Sequence, residues 1–162
     1  MARDMDNRFV CKTFSQLTGS EMYEILKVRQ DVFVVEQECI YKDADDIDYV
    51  SYHLFSMDSN GKVDAYLRIF KREGETSTWQ LGRVLTTKRG IGLGGELLRE
   101  AIRIVKEELS GKEIYIEAQC YALGYYEKAG FVVTSEEFLE DGIPHKAMRC
   151  NCRYSKNFPD LD

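Results

Sequence analysis

A glycine-rich stretch, residues 83–95, constrains this chain more than any other part of its sequence. It reads Arg-Val-Leu-Thr-Thr-Lys-Arg-Gly-Ile-Gly-Leu-Gly-Gly, and four of the chain's twelve glycines fall in its last six positions. An apolar, β-prone run precedes it at residues 79–85, and a periodic apolar pattern follows at residues 96–109. A glycine turn between a strand and a helix leaves backbone N–H groups free at the positive end of the helix dipole. The stretch therefore predicts a phosphate-binding loop, to which Lys88 and Arg89 add positive charge.

The overall composition is that of one globular domain. The chain has 162 residues, of which 44% are hydrophobic and 31% charged, and we expect a single domain over residues 1–162 with a frayed tail at 157–162. No apolar run is long enough for a membrane span and no signal peptide opens the chain, so we expect a cytoplasmic protein without a membrane partner. The net charge of −6 argues against a nucleic-acid partner and favours a cationic small substrate.

The cysteines and histidines predict no metal centre. Five cysteines form no C-x-x-C pair, and the two histidines lack paired ligand spacing. Structural zinc sites need four such ligands, usually at short intervals. We therefore expect no bound metal, and reduced, mostly packed thiols at Cys11, Cys39, Cys120, Cys150 and Cys152.

An acidic segment with four aspartates lies at residues 43–48. It opens like a calcium loop, but Ile47 occupies the fifth position and Asp48 stands where such loops require glycine. Calcium is therefore excluded as a ligand. Two interpretations remain: a solvated, turn-rich loop, or a rim that attracts an amine substrate. We expect Arg83 to have its structural partner in this segment.

Before the glycine stretch, apolar periodicity predicts one helix and four strands. Thr18 and Glu21 form a capping box at the start of a helix over residues 19–35. Arg29 interrupts its apolar stripe, which is typical of a side chain that extends its charged end to solvent. Strands are predicted at residues 9–14, 52–57, 63–70 and 78–85, with Asn60-Gly61 as a hairpin turn. This order indicates an antiparallel meander ahead of the loop.

After the glycine stretch, the pattern predicts two helices and three strands. The helices lie at residues 96–109 and 122–129. A strand carries Ile114, Ile116 and Ala118, a second starts at residues 131–133, and a last one has Met148, Cys150, Cys152 and Tyr154 alternating on one face. Residues 136–145 read as a loop, which contains Asp141-Gly142 and Pro144.

Three kinds of phosphate loop could account for the glycines. The spacing Gly90-x-Gly92-x-x-Gly95 matches the dinucleotide fingerprint, but residues 86–89 separate it from the strand and too few β-α units follow. A Walker loop is excluded because no Lys-Ser or Lys-Thr follows the last glycine. The third form, Arg89-x-x-Gly92-x-Gly94, is the arginine-x-x-glycine-x-glycine pattern that closes the strand-loop-helix of GNAT N-acetyltransferases.

The chain resembles the GNAT family from Phe9 to Tyr154, and more closely its ElaA-like branch. The residues that carry the resemblance are Arg29-x-x-Val32-Phe33-Val34-Val35-Glu36-Gln37, Asp45-x-x-Asp48, His53-Leu54, Ala65-Tyr66-x-Arg68, Gly82-Arg83-Val84, Ala118-Gln119, Tyr125-Tyr126-Glu127-x-x-Gly130-Phe131 and Glu140-Asp141-Gly142-Ile143-Pro144-His145. Ile40 departs from the branch, in which proline is expected there.

The resemblance implies an α+β fold with α/β/α layers. Its central sheet is expected to be mixed, mostly antiparallel and twisted, with about six or seven strands flanked by about four helices, and splayed between the fourth and fifth strands. It also implies acetyl-CoA as cosubstrate, with the pyrophosphate on the loop and the pantetheine along the fourth strand. The implied cofactor-binding residues are Val84, Leu85, Thr86, Arg89, Gly90, Ile91, Gly92, Leu93, Gly94 and Gly95.

The implied activity is transfer of an acetyl group to a primary amine, on a small molecule or a peptide, by direct attack in a ternary complex. Tyr126 matches the family's general acid, which protonates the departing thiolate. The base is open: His145 or Glu36 are the leading candidates, and Glu38, His53 and Glu117 are further ones. A lone histidine is more often a satisfied structural imidazole than a base.

Two other functions remain compatible with the sequence. One is a CoA-binding sensor or interaction module that keeps the fold without turnover. The other, more remote, is an acyltransferase like the acyl-homoserine lactone synthases, although this chain is short for them and has a single tryptophan. The acceptor amine, the physiological acyl group and a possible homodimer are left open by the sequence.

Overall fold

The computed structural model of the protein describes residues 8–152, which form one mixed sheet of eight strands. The strands are β1 Val10–Thr13, β2 Tyr52–Met57, β3 Val63–Lys71, β4 Thr78–Thr86, β5 Glu113–Gln119, β6 Val132–Val133, β7 Phe138–Glu140 and β8 Ile143–Asn151. Their order in the sheet is β1-β2-β3-β4-β5-β8-β6, and β7 pairs with β8. Only β4 and β5 run parallel; the other neighbours are antiparallel.

Three α-helices are present in this part of the chain: α1 Gly19–Arg29, α2 Leu93–Arg103 and α3 Leu123–Lys128. The first two continue as wider π-helical turns, over Gln30–Glu36 and Ile104–Glu108. The capping box is confirmed, because the Glu21 N–H donates to the Thr18 hydroxyl at 3.1 Å and the Thr18 N–H donates to the Glu21 carboxylate at 2.8 Å. None of these helices is long and apolar enough to cross a membrane.

The sheet has a helix layer on each face. Buried side chains of α2 pack against one face, where Leu67 and Ile69 of β3 point. On the other face Ile25 of α1 packs with Tyr66 of β3 and Leu85 of β4. Residues of β3 thus alternate between two cores, as expected for a strand buried on both sides. The α/β/α layering and the expected fold class are confirmed.

The sheet splays between β4 and β5, as expected from the resemblance. The two strands pair only where Thr78–Gln80 face Glu113–Tyr115. Beyond that point β4 keeps β3 as its partner and β5 keeps β8. A bulge lies on the β3 side of β4, where the register shifts between Tyr66 and Arg68, and Arg83 has a φ of 53°. The bulge bends β4 at the start of the splay.

Two sequence expectations are wrong. Residues 136–145 are not a loop: Phe138–Glu140 is β7 and Ile143 begins β8. Asp141 and Gly142, at φ 50° and 79°, form the tight turn between these strands, so Asp141-Gly142 was a hairpin signal. Arg29 does not extend to solvent, because its side chain is 0% exposed. Tyr154 and the expected tail at 157–162 lie outside the described residues.

Candidate functional site

The loop between β4 and α2 has an open backbone at its glycines. Gly90 and Gly92 have φ angles of 77° and 75°, and Gly92 caps the N-terminus of α2. A Cβ built at either glycine would meet no atom within 4 Å. These positions therefore need glycine for their backbone conformation, and nothing in the chain blocks a ligand from approaching the main chain there.

The N–H groups of this loop are available to an anion. The first bond of α2 is donated by Glu96 to the Gly92 carbonyl at 3.1 Å, and among the described residues no hydrogen bond from a backbone N–H of residues 88–95 is seen. Arg89 is exposed and makes no ion pair with residues 8–152, whereas Lys88 Nζ lies 3.6 Å from a carboxylate oxygen of Asp64. Free N–H groups, a helix N-terminus and one free guanidinium together fit a diphosphate.

Gly94 has a different role from Gly92. The Tyr125 hydroxyl of α3 donates to the Gly94 carbonyl at 2.5 Å, and a Cβ at position 94 would lie 3.2 Å from Tyr125 Cε1. The glycine lets the tyrosine ring pack on the first turn of α2. This contact joins α3, which carries Tyr126, to the start of the phosphate loop's helix.

The strand edge beside the loop is free on its β5 side. Leu85 and Thr86 pair with Tyr66 and Ala65 of β3, and Val84 belongs to the bulge that precedes them. Because β5 has already separated, the other edge of β4 faces the splay. An extended ligand could pair with this edge as an added strand would.

Tyr126, on α3, lies in the hydrophobic core. Its side chain is 7% exposed and contacts Tyr125 and Phe131 edge-on, at 4.8 and 5.8 Å between ring centroids. Burial, followed by the neighbouring Tyr125 and Tyr121, raises the pKa of its phenol. The hydroxyl is therefore fully protonated, but it is a weaker acid than the ordinary phenol assumed from the sequence.

His145 lies on β8, not on a loop. It is opposite Gln119 of β5 and Phe138 of β7, whose ring stacks on the imidazole at 6.0 Å. Its Nδ1 is 2.6 Å from the Ile143 carbonyl oxygen. A carbonyl only accepts, so Nδ1 carries a hydrogen and the lone pair of the neutral ring is on Nε2. Nε2 lies 3.5 Å from a carboxylate oxygen of Glu140.

Glu36 is the last residue of the π-helical turns after α1. The segment that follows it lies at the same end of the sheet as His145. Gln37, next to Glu36, exchanges two amide hydrogen bonds with Gln119, at 3.4 and 3.2 Å, and Gln119 is opposite His145. The Cys39 thiol donates to the Asp141 carbonyl at 3.5 Å. The structure thus brings the segments of both candidate bases together, although Glu36 itself is exposed.

Glu140 was missing from the sequence candidates. Burial, followed by the nearby Glu117, raises the pKa of its carboxyl group. Its side chain is 49% exposed and lies next to His145. The signal that could have identified it was the Asp141-Gly142 turn, which places residue 140 beside residue 143 at the tip of a hairpin.

The acidic segment is more than a solvated loop, because most of its aspartates are held in ion pairs. Three of its aspartates pair with three arginines from α1, β3 and β4. Asp48 accepts from Arg29 at 2.7 Å and from Arg68 at 3.0 Å; Asp45 accepts from Arg68 at 2.7 Å; Asp43 accepts from Arg83 at 2.8 Å, with its other oxygen 2.9 Å from Arg29 Nε. The expected partner of Arg83 in this segment is confirmed. The network ties the bulge of β4 to α1.

His53 belongs to this network as a structural group. Its Nε2 lies 2.9 Å from the Asp48 carbonyl, so it donates, and Nδ1 accepts from the Tyr66 hydroxyl at 2.8 Å. Burial lowers its pKa. With both nitrogens engaged in the core, His53 is not available as a base. Among residues 8–152, no three histidine, cysteine, aspartate or glutamate side chains converge as metal ligands.

Comparison with known proteins identifies the family. A model of the Acetyltransferase (GNAT) domain matches residues 23–152. The chain belongs to the GNAT family. A UPF0039 protein of Schizosaccharomyces pombe is 39% identical over 144 residues, covering 87% of this chain and 95% of the relative.

The ElaA-like branch is supported by both sequence and structure. Protein ElaA of Escherichia coli is 33% identical over 83% of this chain and 90% of its own length. Its crystal structure has a TM-score of 0.81 at 31% identity, over 88% of this chain and 97% of that one. An acyl-CoA N-acyltransferase of Pseudomonas aeruginosa has a TM-score of 0.80 at 35% identity, over 88% and 98%. The chain is therefore an ElaA-like member of the family.

Proposed function

We propose that the protein transfers an acetyl group from acetyl-CoA to a primary amine, by direct attack of the amine in a ternary complex. The observation that carries the proposal is the open loop at the N-terminus of α2, next to a splayed sheet with a free β4 edge. Free N–H groups and Arg89 suit a diphosphate, and the strand edge suits an amide-containing arm. Membership of the GNAT family supports the same ligand.

In this proposal the residues of the loop and of β4 hold the cosubstrate. Arg89 and the backbone of residues 90–95 bind the pyrophosphate, and the backbone of residues 84–86 pairs with the pantetheine. When bound, acetyl-CoA supplies a thioester carbonyl that an amine can attack. A backbone N–H near Leu85 stabilises the oxygen of that carbonyl as it becomes negative. The amine must be neutral when it attacks, since an alkylammonium has a pKa of about 10.4 and no nucleophilic electron pair.

Tyr126 is proposed as the group that assists the departing thiolate. Its buried phenol is protonated and adjoins α2 through Tyr125. Because burial makes the phenol a weak acid, its contribution is a hydrogen bond to the developing negative charge on sulfur, with proton transfer completed as the amide forms. Replacement Tyr126→Phe should lower kcat by about 10²-fold and leave CoA affinity within about 3-fold. A loss of CoA affinity instead would show that Tyr126 is structural.

Isothermal titration with CoA and acetyl-CoA tests the first half of the proposal. We expect saturable binding at micromolar concentration, and none for NAD. Absence of CoA binding would refute the proposal. The second half is tested by release of free thiol from acetyl-CoA on addition of a panel of amines. Binding without thiol release across alkylamines, polyamines, lysine peptides and free peptide N-termini would favour the CoA-binding sensor.

A further inference from the structure

The tip of the β7–β8 hairpin brings two titratable side chains together. His145 Nδ1 donates to the Ile143 carbonyl, which leaves the lone pair of the neutral ring on Nε2, 3.5 Å from a carboxylate oxygen of Glu140. An ionised carboxylate is also only an acceptor. Two proton acceptors therefore face each other, with no hydrogen between them. One added proton would give both a partner.

The surroundings of the pair favour uptake of that proton. Burial first, and then the negative charges of Glu117 on β5 and Asp141 in the turn, raise the pKa of the Glu140 carboxyl group. His145 and Arg83, the latter at the bulge of β4, act on that pKa in the opposite sense and are outweighed. Lys146 follows His145 on β8, and successive side chains of a strand point to opposite faces of the sheet. The charge of Lys146 therefore lies on the other face from His145. Negative charges thus dominate around the gap between Nε2 and the carboxylate.

The pair also lies at the end of the sheet where β4 and β5 have separated. Glu140 is opposite Ile143 at the tip of the hairpin, and β8 pairs with β5, one of the two separated strands, from His145 onward. His145 is opposite Gln119, which is held by Gln37 from the segment after α1. Glu140 is half exposed, whereas the His145 side chain is 8% exposed. A solute can therefore contact the carboxylate, and the imidazole lies behind it.

We infer that Glu140 and His145 form a proton-accepting pair, in which Glu140 contacts the acceptor ammonium and takes its proton while His145 holds that proton in place. This inference rests on the proposed function. The ammonium gives one proton to Glu140 and keeps the electron pair on nitrogen. That electron pair forms the C–N bond to the thioester carbon, the C–S bond breaks, and a second nitrogen proton ends on sulfur. The first proton leaves to water from Glu140. Glu140 is the catalytic residue, and His145 is its positioning residue.

The kinetic test uses two acceptors of nearly the same shape, phenethylamine and β,β-difluorophenethylamine. The fluorines lower the ammonium pKa, so much more of the second amine is already neutral at pH 7. The variants are Glu140→Gln and His145→Asn; the asparagine amide retains a donor near the Nδ1 position and removes Nε2. Glu136→Gln is the matched control, because Glu136 is an exposed carboxylate in the segment that leads into β7.

We expect both variants to lower kcat/KM for phenethylamine by at least about 30-fold and for its difluoro analogue by less than about 3-fold, since general base catalysis is worth roughly 10²–10⁴. The control should keep wild-type rates for both. An equal loss for the two amines, or no loss for either, would overturn the inference. Unchanged CoA affinity and melting temperature would exclude misfolding as the cause.

A second readout needs no turnover. The chain has only two histidines, so ¹⁵N-histidine NMR resolves both rings, and His145→Asn assigns them. We expect the neutral ring of His145 to be the Nδ1–H tautomer, and its Nε2 resonance to move in Glu140→Gln but not in Glu136→Gln. An Nε2–H tautomer, or an Nε2 resonance that Glu140→Gln leaves unchanged, would overturn the pair. If the wild type acetylates no amine of the panel, the proposed function fails, and the NMR result still decides on the pair.

Discussion

Replacement Asp48→Asn should destabilise the protein strongly. Asp48 accepts hydrogen bonds from two arginines, at 2.7 Å from Arg29 and 3.0 Å from Arg68, whose side chains are 0% and 3% exposed. Breaking a buried ion pair on one side leaves an uncompensated charge, at a cost of about 3–5 kcal/mol. Asparagine keeps one acceptor oxygen, so we expect a loss near the lower limit, about 3 kcal/mol.

Urea unfolding, followed by the fluorescence of the single tryptophan, Trp79, measures this loss. With an m-value of about 2 kcal/mol/M, the midpoint should fall by about 1.5 M at unchanged m. Asp46→Asn is the matched control: it removes the same charge from the same segment, its side chain is exposed, and asparagine tolerates the left-handed φ of 68° found there. A midpoint shift below about 0.5 M for Asp48→Asn, or one equal to that of the control, would refute the reasoning.

The pH dependence of the difference between wild type and Asp48→Asn has a defined sign. Burial opposes ionisation of Asp48, but Arg29 and Arg68 outweigh it and lower its pKa, and Arg68 does the same for Asp45. The pKa of an aspartate in the unfolded chain is about 3.9. When folding lowers this pKa, the resulting stabilisation is complete at a pH above the unfolded-state pKa, and it is lost as the pH falls through the folded-state pKa. The difference between the two proteins should therefore be constant from pH 8 to about 5 and shrink only below about pH 4.

Two further predictions concern the loop and the packing of the sheet. Arg89→Ala should weaken CoA binding in titration calorimetry by about 10-fold, the size of one charge-assisted contact, whereas Lys88→Ala should have a smaller effect because Asp64 already pairs with it. A large effect of Lys88→Ala alone would contradict this assignment. Gly111→Ala should lose about 1–3 kcal/mol in thermal unfolding, because its Cβ would lie 2.7 Å from Trp79 Cδ1. Gly124→Ala, in α3 with open space around it, should be neutral or slightly stabilising; equal losses for both glycines would refute the packing argument.

Features that depend on neighbouring residues in the chain could be predicted from the sequence. The capping box of α1 needs only Thr18 and Glu21, and the glycine loop needs only the residues that follow β4. The loop's function as a phosphate site follows from the same local physics, so its open N–H groups were expected before any fold was known. The splay between β4 and β5 was different, because it came from the family resemblance and not from a local pattern.

Features that depend on pairing between distant residues could not be predicted in the same way. Arg29 is 19 residues from Asp48, and Arg68 is 20 residues from it. On a helix, an arginine within an apolar stripe is equally compatible with a side chain that reaches solvent and with a buried ion pair. Which of the two arrangements forms depends on whether carboxylates of another segment lie next to the arginine in the fold. Hydrophobic periodicity carries no information about such neighbours. The ion pairs of the acidic segment with Arg29 and Arg68 could not be predicted for the same reason, since these partners lie on separate elements.

The candidate base was missed for a subtler reason, which concerns the β7–β8 hairpin. Pro144 makes residues 136–145 resemble a loop, although proline is tolerated at the start of a strand and Asp141-Gly142 suits a two-residue turn. In the hairpin, the Ile143 carbonyl accepts from His145 Nδ1, which fixes the tautomer of the neutral ring. The lone pair is then on Nε2, and the carboxylate next to Nε2 belongs to Glu140 and not to Glu36. A carboxylate at the tip of a hairpin is ordinary by itself. It becomes a candidate for proton transfer only because a second acceptor lies next to it, at the end of the splayed sheet where we propose that the amine meets the cosubstrate.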